Sequence, residues 1–114
     1  MKWSGLQSKG SLFAGLALPD RGEVFAELLR CRNVSIERIL SSDTPEPVLY
    51  DQEQDEWVLL LEGRATLEMA GKTIDLAPGD HVFIPARTPH RVTATFPEPR
   101  CLWLAVHIYP EEQS

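Results

Sequence analysis

Residues 50–90 read YDQEQDEWVLLLEGRATLEMAGKTIDLAPGDHVFIPARTPH, and this stretch decides the fold. Trp57 to Glu62 is almost wholly apolar, which suits a strand buried on both faces. Gly63 interrupts it. Ala65, Leu67 and Met69 then alternate with Arg64, Thr66, Glu68 and Ala70, the pattern of a half-buried strand. Gly71-Lys72 reads as a tight turn, and Thr73 to Leu76 pairs back as a hairpin. Pro78-Gly79-Asp80 is a second turn, with Asp80 completing it. Val82 to Ile84 is a short strand that stops at Pro85, because proline has no N–H to give a central ladder.

Working outward, Val34 to Leu40 (VSIERIL) alternates with a period near two and reads as a strand. Ser41 to Pro47 (SSDTPEP) is a loop by composition. Arg91 to Phe96 and Cys101 to Tyr109 are further strands, joined by Pro97-Glu98-Pro99. Glu23 to Arg30 sets Val24, Phe25, Leu28 and Leu29 at helical spacing after Asp20 and Gly22, so a short helix is expected, with a strand as the alternative. Residues 1–20 read as an irregular arm that packs Phe13 and Leu16 on the rest. Short strands at near-even spacing with turn chemistry between them define an all-β barrel or sandwich.

A chain of 114 residues with 43% hydrophobic and 25% charged residues supports one domain with its own core. The net charge of −6 disfavours nucleic acid and anionic membranes, and the densest basic group, Arg30, Arg32 and Arg38, is too sparse to track phosphates. Cys31 and Cys101 lie far apart with no CxxC spacing, and both read as small buried hydrophobes. The apolar run Leu12 to Leu18 is short for a signal-peptide core, and nothing approaches the ~18 apolar residues of a membrane span. A reduced, cytoplasmic protein is expected. No Ser-His-Asp, Cys-His or phosphate-cradling glycine pattern is present.

Two spaced half-motifs carry a family resemblance. Glu56-WVLLLE-Gly63 resembles the second half of the first cupin motif, G-x5-HxH-x3,4-E-x6-G. Gly79-DHVFI-Pro85 resembles the start of the second, G-x5-PxG-x2-H-x3-N, and His90 stands where that motif puts its histidine. The resemblance implies a cupin-type antiparallel β-barrel, or jelly roll, with a short N-terminal arm or helix. The implied division is residues 1–30 as an arm packing on the barrel and residues 31–110 as the barrel, one domain overall. The departures matter equally. Counting back from Glu56, the two motif histidines fall on Tyr50 and Gln52 in the three-residue frame, or on Leu49 and Asp51 in the four-residue frame. Neither frame supplies a histidine. Arg87 and Ala94 replace the motif's later glycine and asparagine.

Cupins commonly hold a metal in the barrel, and the resemblance carries that expectation to Gln52, Glu56 and His90. His107 becomes a fourth ligand if Trp103, Ala105 and His107 face inward, and lies outside if Leu104, Val106 and Ile108 do. Two or more imidazoles with a carboxylate suit a divalent transition metal, and Gln52, Glu56 and His90, with one imidazole and two oxygens, make a weaker and harder set for it. The resemblance further implies a small polar molecule in the pocket and a metal-dependent isomerase, lyase or dioxygenase, with Glu56 or Tyr50 moving a proton. A metal-free cupin that binds a small ligand or a partner without catalysis is the alternative. A homodimer is expected on family grounds, since small open barrels leave edges to cover. Arg87 and Arg91 flank His90 at the expected rim.

Overall fold

The computed structural model describes residues 9–111. Those residues form eight strands and no helix: β1 (Glu23–Cys31), β2 (Val34–Ser41), β3 (Asp55–Glu62), β4 (Arg64–Met69), β5 (Lys72–Leu76), β6 (His81–Ile84), β7 (His90–Phe96) and β8 (Cys101–Ile108). A five-stranded sheet runs β1-β2-β8-β3-β6, and a three-stranded sheet runs β5-β4-β7. Every pairing is antiparallel. This is the all-β jelly roll that the sequence implies. No helix long and apolar enough to cross a membrane occurs among the described residues.

The inner faces of the two sheets enclose the core. Ile39 of β2, Val58 and Leu60 of β3, Ala65 and Leu67 of β4, Ile84 of β6 and Trp103 and Ala105 of β8 form one buried cluster. Each large aliphatic side chain removed from water there contributes about 1.5–3 kcal/mol. Side chains alternate along β3, so Glu56, Val58 and Leu60 are buried while Trp57, Leu59 and Leu61 are half-buried. Leu40 and Leu102 pair on the opposite parity and are buried too, 2% and 0% exposed, so the larger sheet is covered on part of its outer face. Arg38, also of that parity, ties residues 12 and 14 to β2 by donating from Nη1 to the Leu12 and Ala14 carbonyls. Leu16 is half-buried. Phe13 is 58% exposed and does not pack as the sequence suggests. Residues 1–8 of the expected arm lie outside the described residues.

The helix expected over Glu23–Arg30 is instead the edge strand β1. It pairs with β2 from Glu23↔Ser41 to Cys31↔Val34, and the register slips between Glu27 and Leu29. Leu28 is the extra residue of that bulge. The insertion breaks the period of two, so Val24, Phe25, Leu28 and Leu29 imitate helical spacing. Eight ladder partners on β2 outweigh so weak a local preference.

The hairpin turn falls one residue earlier than the sequence reading, with Met69 facing Lys72. Ala70 and Gly71 occupy its centre at φ of 51° and 79°, the two positive values that a two-residue turn of matching twist requires. Gly63 has φ of 83° where the chain leaves β3 for β4, crossing from one sheet to the other.

Candidate functional site

A cavity of about 130 Å³ lies between the sheets, walled by Ile39, Val58, Leu67, Ile84 and Val92. Its polar lining comes from Glu23, Glu37, Tyr50, Gln52, Glu56, His90 and His107. Strand parity brings these together. Glu37 shares a face with Ile39 on β2, Glu56 with Val58 on β3, and His107 with Trp103 and Ala105 on β8. Thus β8 turns His107 inward, where it is 8% exposed.

The approach segment before β3 is held by backbone bonds. Tyr50 N–H donates to the His90 carbonyl at 2.8 Å, and His90 N–H donates to the Tyr50 carbonyl at 3.0 Å. The two rings stack with centroids 5.6 Å apart. Arg87 N–H donates to the Gln52 carbonyl at 2.8 Å, and Ala86 N–H to Asp55 Oδ1 at 2.7 Å. Arg87 replaces the motif glycine yet keeps a left-handed φ of 62°. Tyr50 and Gln52 reach the cavity, whereas Leu49 and Asp51 are exposed, so the three-residue frame of the first motif is the one that faces inward.

His90 Nδ1 lies 2.8 Å from the Thr88 carbonyl. A carbonyl only accepts, so Nδ1 carries the hydrogen and neutral His90 presents a lone pair at Nε2. Nε2 stands 3.8 Å from Glu56 Oε1, both side chains 10% exposed or less. The same Oε1 accepts from Gln52 Nε2 at 2.9 Å. His107 is engaged elsewhere: its Nε2–H donates to Glu37 Oε1 at 2.7 Å, and its Nδ1 meets Gln54 Nε2 at 3.2 Å. The Glu37 hydrogen bond, more than any other cause, raises the His107 pKa. Trp103 Nε1–H donates to Ser41 Oγ at 3.0 Å, and Ser41 Oγ–H to Glu23 Oε2 at 2.6 Å. Burial, then Ser41 acting in opposition, then Glu56 and Glu37 set the Glu23 carboxyl, with a net rise. Burial and these carboxylates raise the Tyr50 phenol as well, so Tyr50 is a hydroxyl donor rather than a base.

The four residues expected to ligate a metal all line the cavity, but they do not all meet: Gln52 and His90 both approach Glu56 Oε1, at 2.9 and 3.8 Å, and His107 is held apart from them. Glu56 and His90 are adjacent, while Gln52 has given its amide hydrogen to Glu56 and His107 is bonded to Glu37 and Gln54. Among the described residues no three His, Cys, Asp or Glu are placed to share a metal ion. The donor set therefore does not fit a resident transition metal, which needs three or more donors near 2 Å.

Glu23 and Glu37 are the site residues that sequence reasoning missed. Neither falls in a motif, and Glu23 sits on the strand read as a helix. Arg87 and Arg91 do not line the cavity; they pair outside it with Asp51 at 3.4 Å and Glu68 at 3.1 Å. Cys101 is buried with its thiol pushed up to about 11, chiefly by burial, whereas Cys31 is exposed, contrary to the sequence reading.

The fold agrees with comparison to known proteins. The family model for the cupin domain matches residues 39–107, and the chain belongs to that family. A protein of Ralstonia eutropha JMP134, provisionally assigned as a mannose-6-phosphate isomerase, is 36% identical, with a TM-score of 0.80 over 91% of this chain and 100% of that one. A cupin superfamily protein of Desulfitobacterium hafniense DCB-2 is 20% identical, with a TM-score of 0.76 over 91% of this chain and 94% of that one. A conserved Streptococcus pyogenes protein of unknown function is also 20% identical, with a TM-score of 0.77 over 93% and 91%. No curated protein matches the chain.

Proposed function

We propose that this cupin binds a small polar molecule directly in the barrel, without a resident metal, and that Glu56 and His90 are its first contacts. One observation carries the reading. The polar wall is built of side chains that hold one another, Gln52 on Glu56 and His107 on Glu37, and among the described residues no three His, Cys, Asp or Glu are placed to share a metal ion. The Glu56–His90 pair has chemistry of its own. His90 Nε2 can accept a proton, and Glu56 beside it stabilises the imidazolium that results. A proton-transfer isomerisation or an elimination begins with that step, the imidazolium then giving the proton back to the neighbouring carbon or to the leaving group. Oxygen insertion needs a redox metal, for which the donor set is incomplete.

A phosphorylated sugar does not suit the cavity. Its lining holds three glutamates and neither lysine nor arginine. Phosphate recognition rests on cationic or backbone N–H donors, and like charges in a half-dry pocket repel. The assignment given to the Ralstonia protein is therefore not carried over to this chain.

The homodimer is retained as part of this reading. β1 is an edge strand whose Val24, Phe25, Leu28 and Leu29 are 45–51% exposed. Such an edge is a template for pairing with a second copy. Sedimentation equilibrium measures the mass.

Elemental analysis of protein purified without chelator or nickel resin tests the central claim. The expected result is no stoichiometric transition metal and no thermal stabilisation by added manganese, iron, nickel, copper or zinc. One equivalent of metal that disappears in His90→Ala would overturn it.

A further inference from the structure

Resting on the metal-free reading above, we infer that the ligand of this pocket is a small organic ammonium ion, received by Glu23, Glu37 and Glu56 with His90 Nε2 as a further acceptor. The argument is a count of donors against acceptors. Among the described residues the Tyr50 hydroxyl and the second amide hydrogen of Gln52 are the uncommitted donors that face the cavity; the others are already used. Gln52 donates to Glu56, His107 to Glu37, Ser41 to Glu23, and Trp103 to Ser41. The acceptors are in surplus. Glu23 Oε1, Glu37 Oε2 and Glu56 Oε2 have no hydrogen-bond donor among the described residues.

His90 supplies a second, independent observation. Its side chain is 7% exposed and lines the cavity, its Nδ1–H is committed to the Thr88 carbonyl, and its Nε2 has no hydrogen-bond donor among the described residues. Nε2 therefore waits for a donor. A neutral polyol would bring an acceptor oxygen with every hydroxyl and find few donors to meet it. An alkylammonium brings N–H donors and a positive charge only.

Size separates an organic cation from a metal ion. The carboxylates stand on three strands, β1, β2 and β3, and are not close enough to share one ion. An ammonium nitrogen bonds acceptors at about 2.8 Å in diverging directions, so it accepts a wider cup than a metal with bonds near 2 Å. The apolar wall receives the alkyl stem. A cavity of 130 Å³ approaches the ~150 Å³ that holds benzene, so about four to six heavy atoms fit.

The test is titration of the full-length protein, at fixed ionic strength, with n-propylammonium, 1-propanol and propionate. Binding is read from the Trp103 indole N–H signal in nitrogen-15 spectra, since that group is linked through Ser41 to Glu23. The expected result is saturable one-to-one binding of propylammonium, about tenfold or more tighter than propanol, and none of propionate. Glu37→Gln and Glu56→Gln should each weaken propylammonium about tenfold and propanol by clearly less. Equal binding of propanol and propylammonium would overturn the ammonium inference and leave the metal-free pocket standing. Stoichiometric metal in the same samples would overturn both. Because the three ligands are compared on the unaltered chain, the result stands even where a variant does not fold.

Discussion

His107 of β8 and Glu37 of β2 are joined at 2.7 Å across neighbouring strands, with Glu37 one step diagonal to the Ser35↔His107 ladder pair. The Glu37 hydrogen bond comes first among the causes that raise His107 above its ordinary 6.5; burial and Arg30 oppose it, and Glu56 assists. Gln54 faces the other ring nitrogen, and its amide can turn its oxygen to an Nδ1–H when the ring is charged. The folded state therefore binds a proton that the unfolded state releases. This contribution to stability is full below about pH 6.5 and is lost as pH rises through the higher folded value. Melting temperature should fall over that window in the unaltered protein, and the slope should flatten in Glu37→Gln. An unchanged slope in that variant would show that the pair is not the source.

Glu23 gives a second pH window. Its carboxyl is raised above 4.5, mainly by burial, then by Glu56 and Glu37, with Ser41 opposing. The folded state again holds the proton longer, so stability falls as pH rises from about 4.5 through the folded value. Glu23→Gln keeps an acceptor for Ser41 and removes the charge. It should raise the melting temperature near neutral pH and leave it unchanged in acid. A loss of stability at neutral pH would mean that the carboxylate is needed in its charged form.

These two glutamates also mark the limit of what the sequence discloses. β3, the β4–β5 hairpin, β6 and the place of His90 are legible because turn glycines and prolines punctuate short apolar runs and one clear period-two run between Trp57 and Pro85. β1 is not, because the Leu28 bulge disguises its period. Parity on β2 is ambiguous for a different reason. Val34, Ile36 and Leu40 share one face and Ile39 the other, since the outer face also meets covering chain near Arg38. Glu37 therefore reads as surface, and its inward direction becomes visible only with the fold. The direction of β8 is hidden in the same way by apolar residues on both faces. The resemblance finds Glu56 and His90, and Tyr50 and Gln52 by their frame. It cannot find carboxylates that its motifs do not contain.

The cysteines make a simple check on the packing. Cys31 ends the edge strand and is exposed, whereas Cys101 is 0% exposed and its thiol is pushed up to about 11. The thiolate is the reactive form, so both burial and ionisation protect Cys101. One thiol should react with a disulfide reagent in the native protein at about pH 8, and two in denaturant. Rapid native reaction of both would indicate that β8 opens locally.

Gly63 is where one substitution should act most widely. It holds φ of 83° at the crossing from β3 to β4, next to the strand that carries Glu56. A Cβ there would lie 2.5 Å from the Arg100 carbonyl oxygen and 2.8 Å from Cys101 Cα. Both are backbone atoms, and Cys101 begins β8, the central strand that bears His107. The left-handed conformation alone costs an alanine about 1–2 kcal/mol. Moving a central strand to relieve the contact adds to that, so Gly63→Ala should lose roughly 2–4 kcal/mol in denaturant unfolding. The neighbouring control is Gly71→Ala, at φ of 79° with no atom within 4 Å of the added Cβ, which isolates the conformational part. Equal losses at the two positions would show that the close approach of β8 to Gly63 contributes nothing. A larger loss at Gly63 would show that the crossing glycine sets how closely β8, and with it His107, lies against the start of β4.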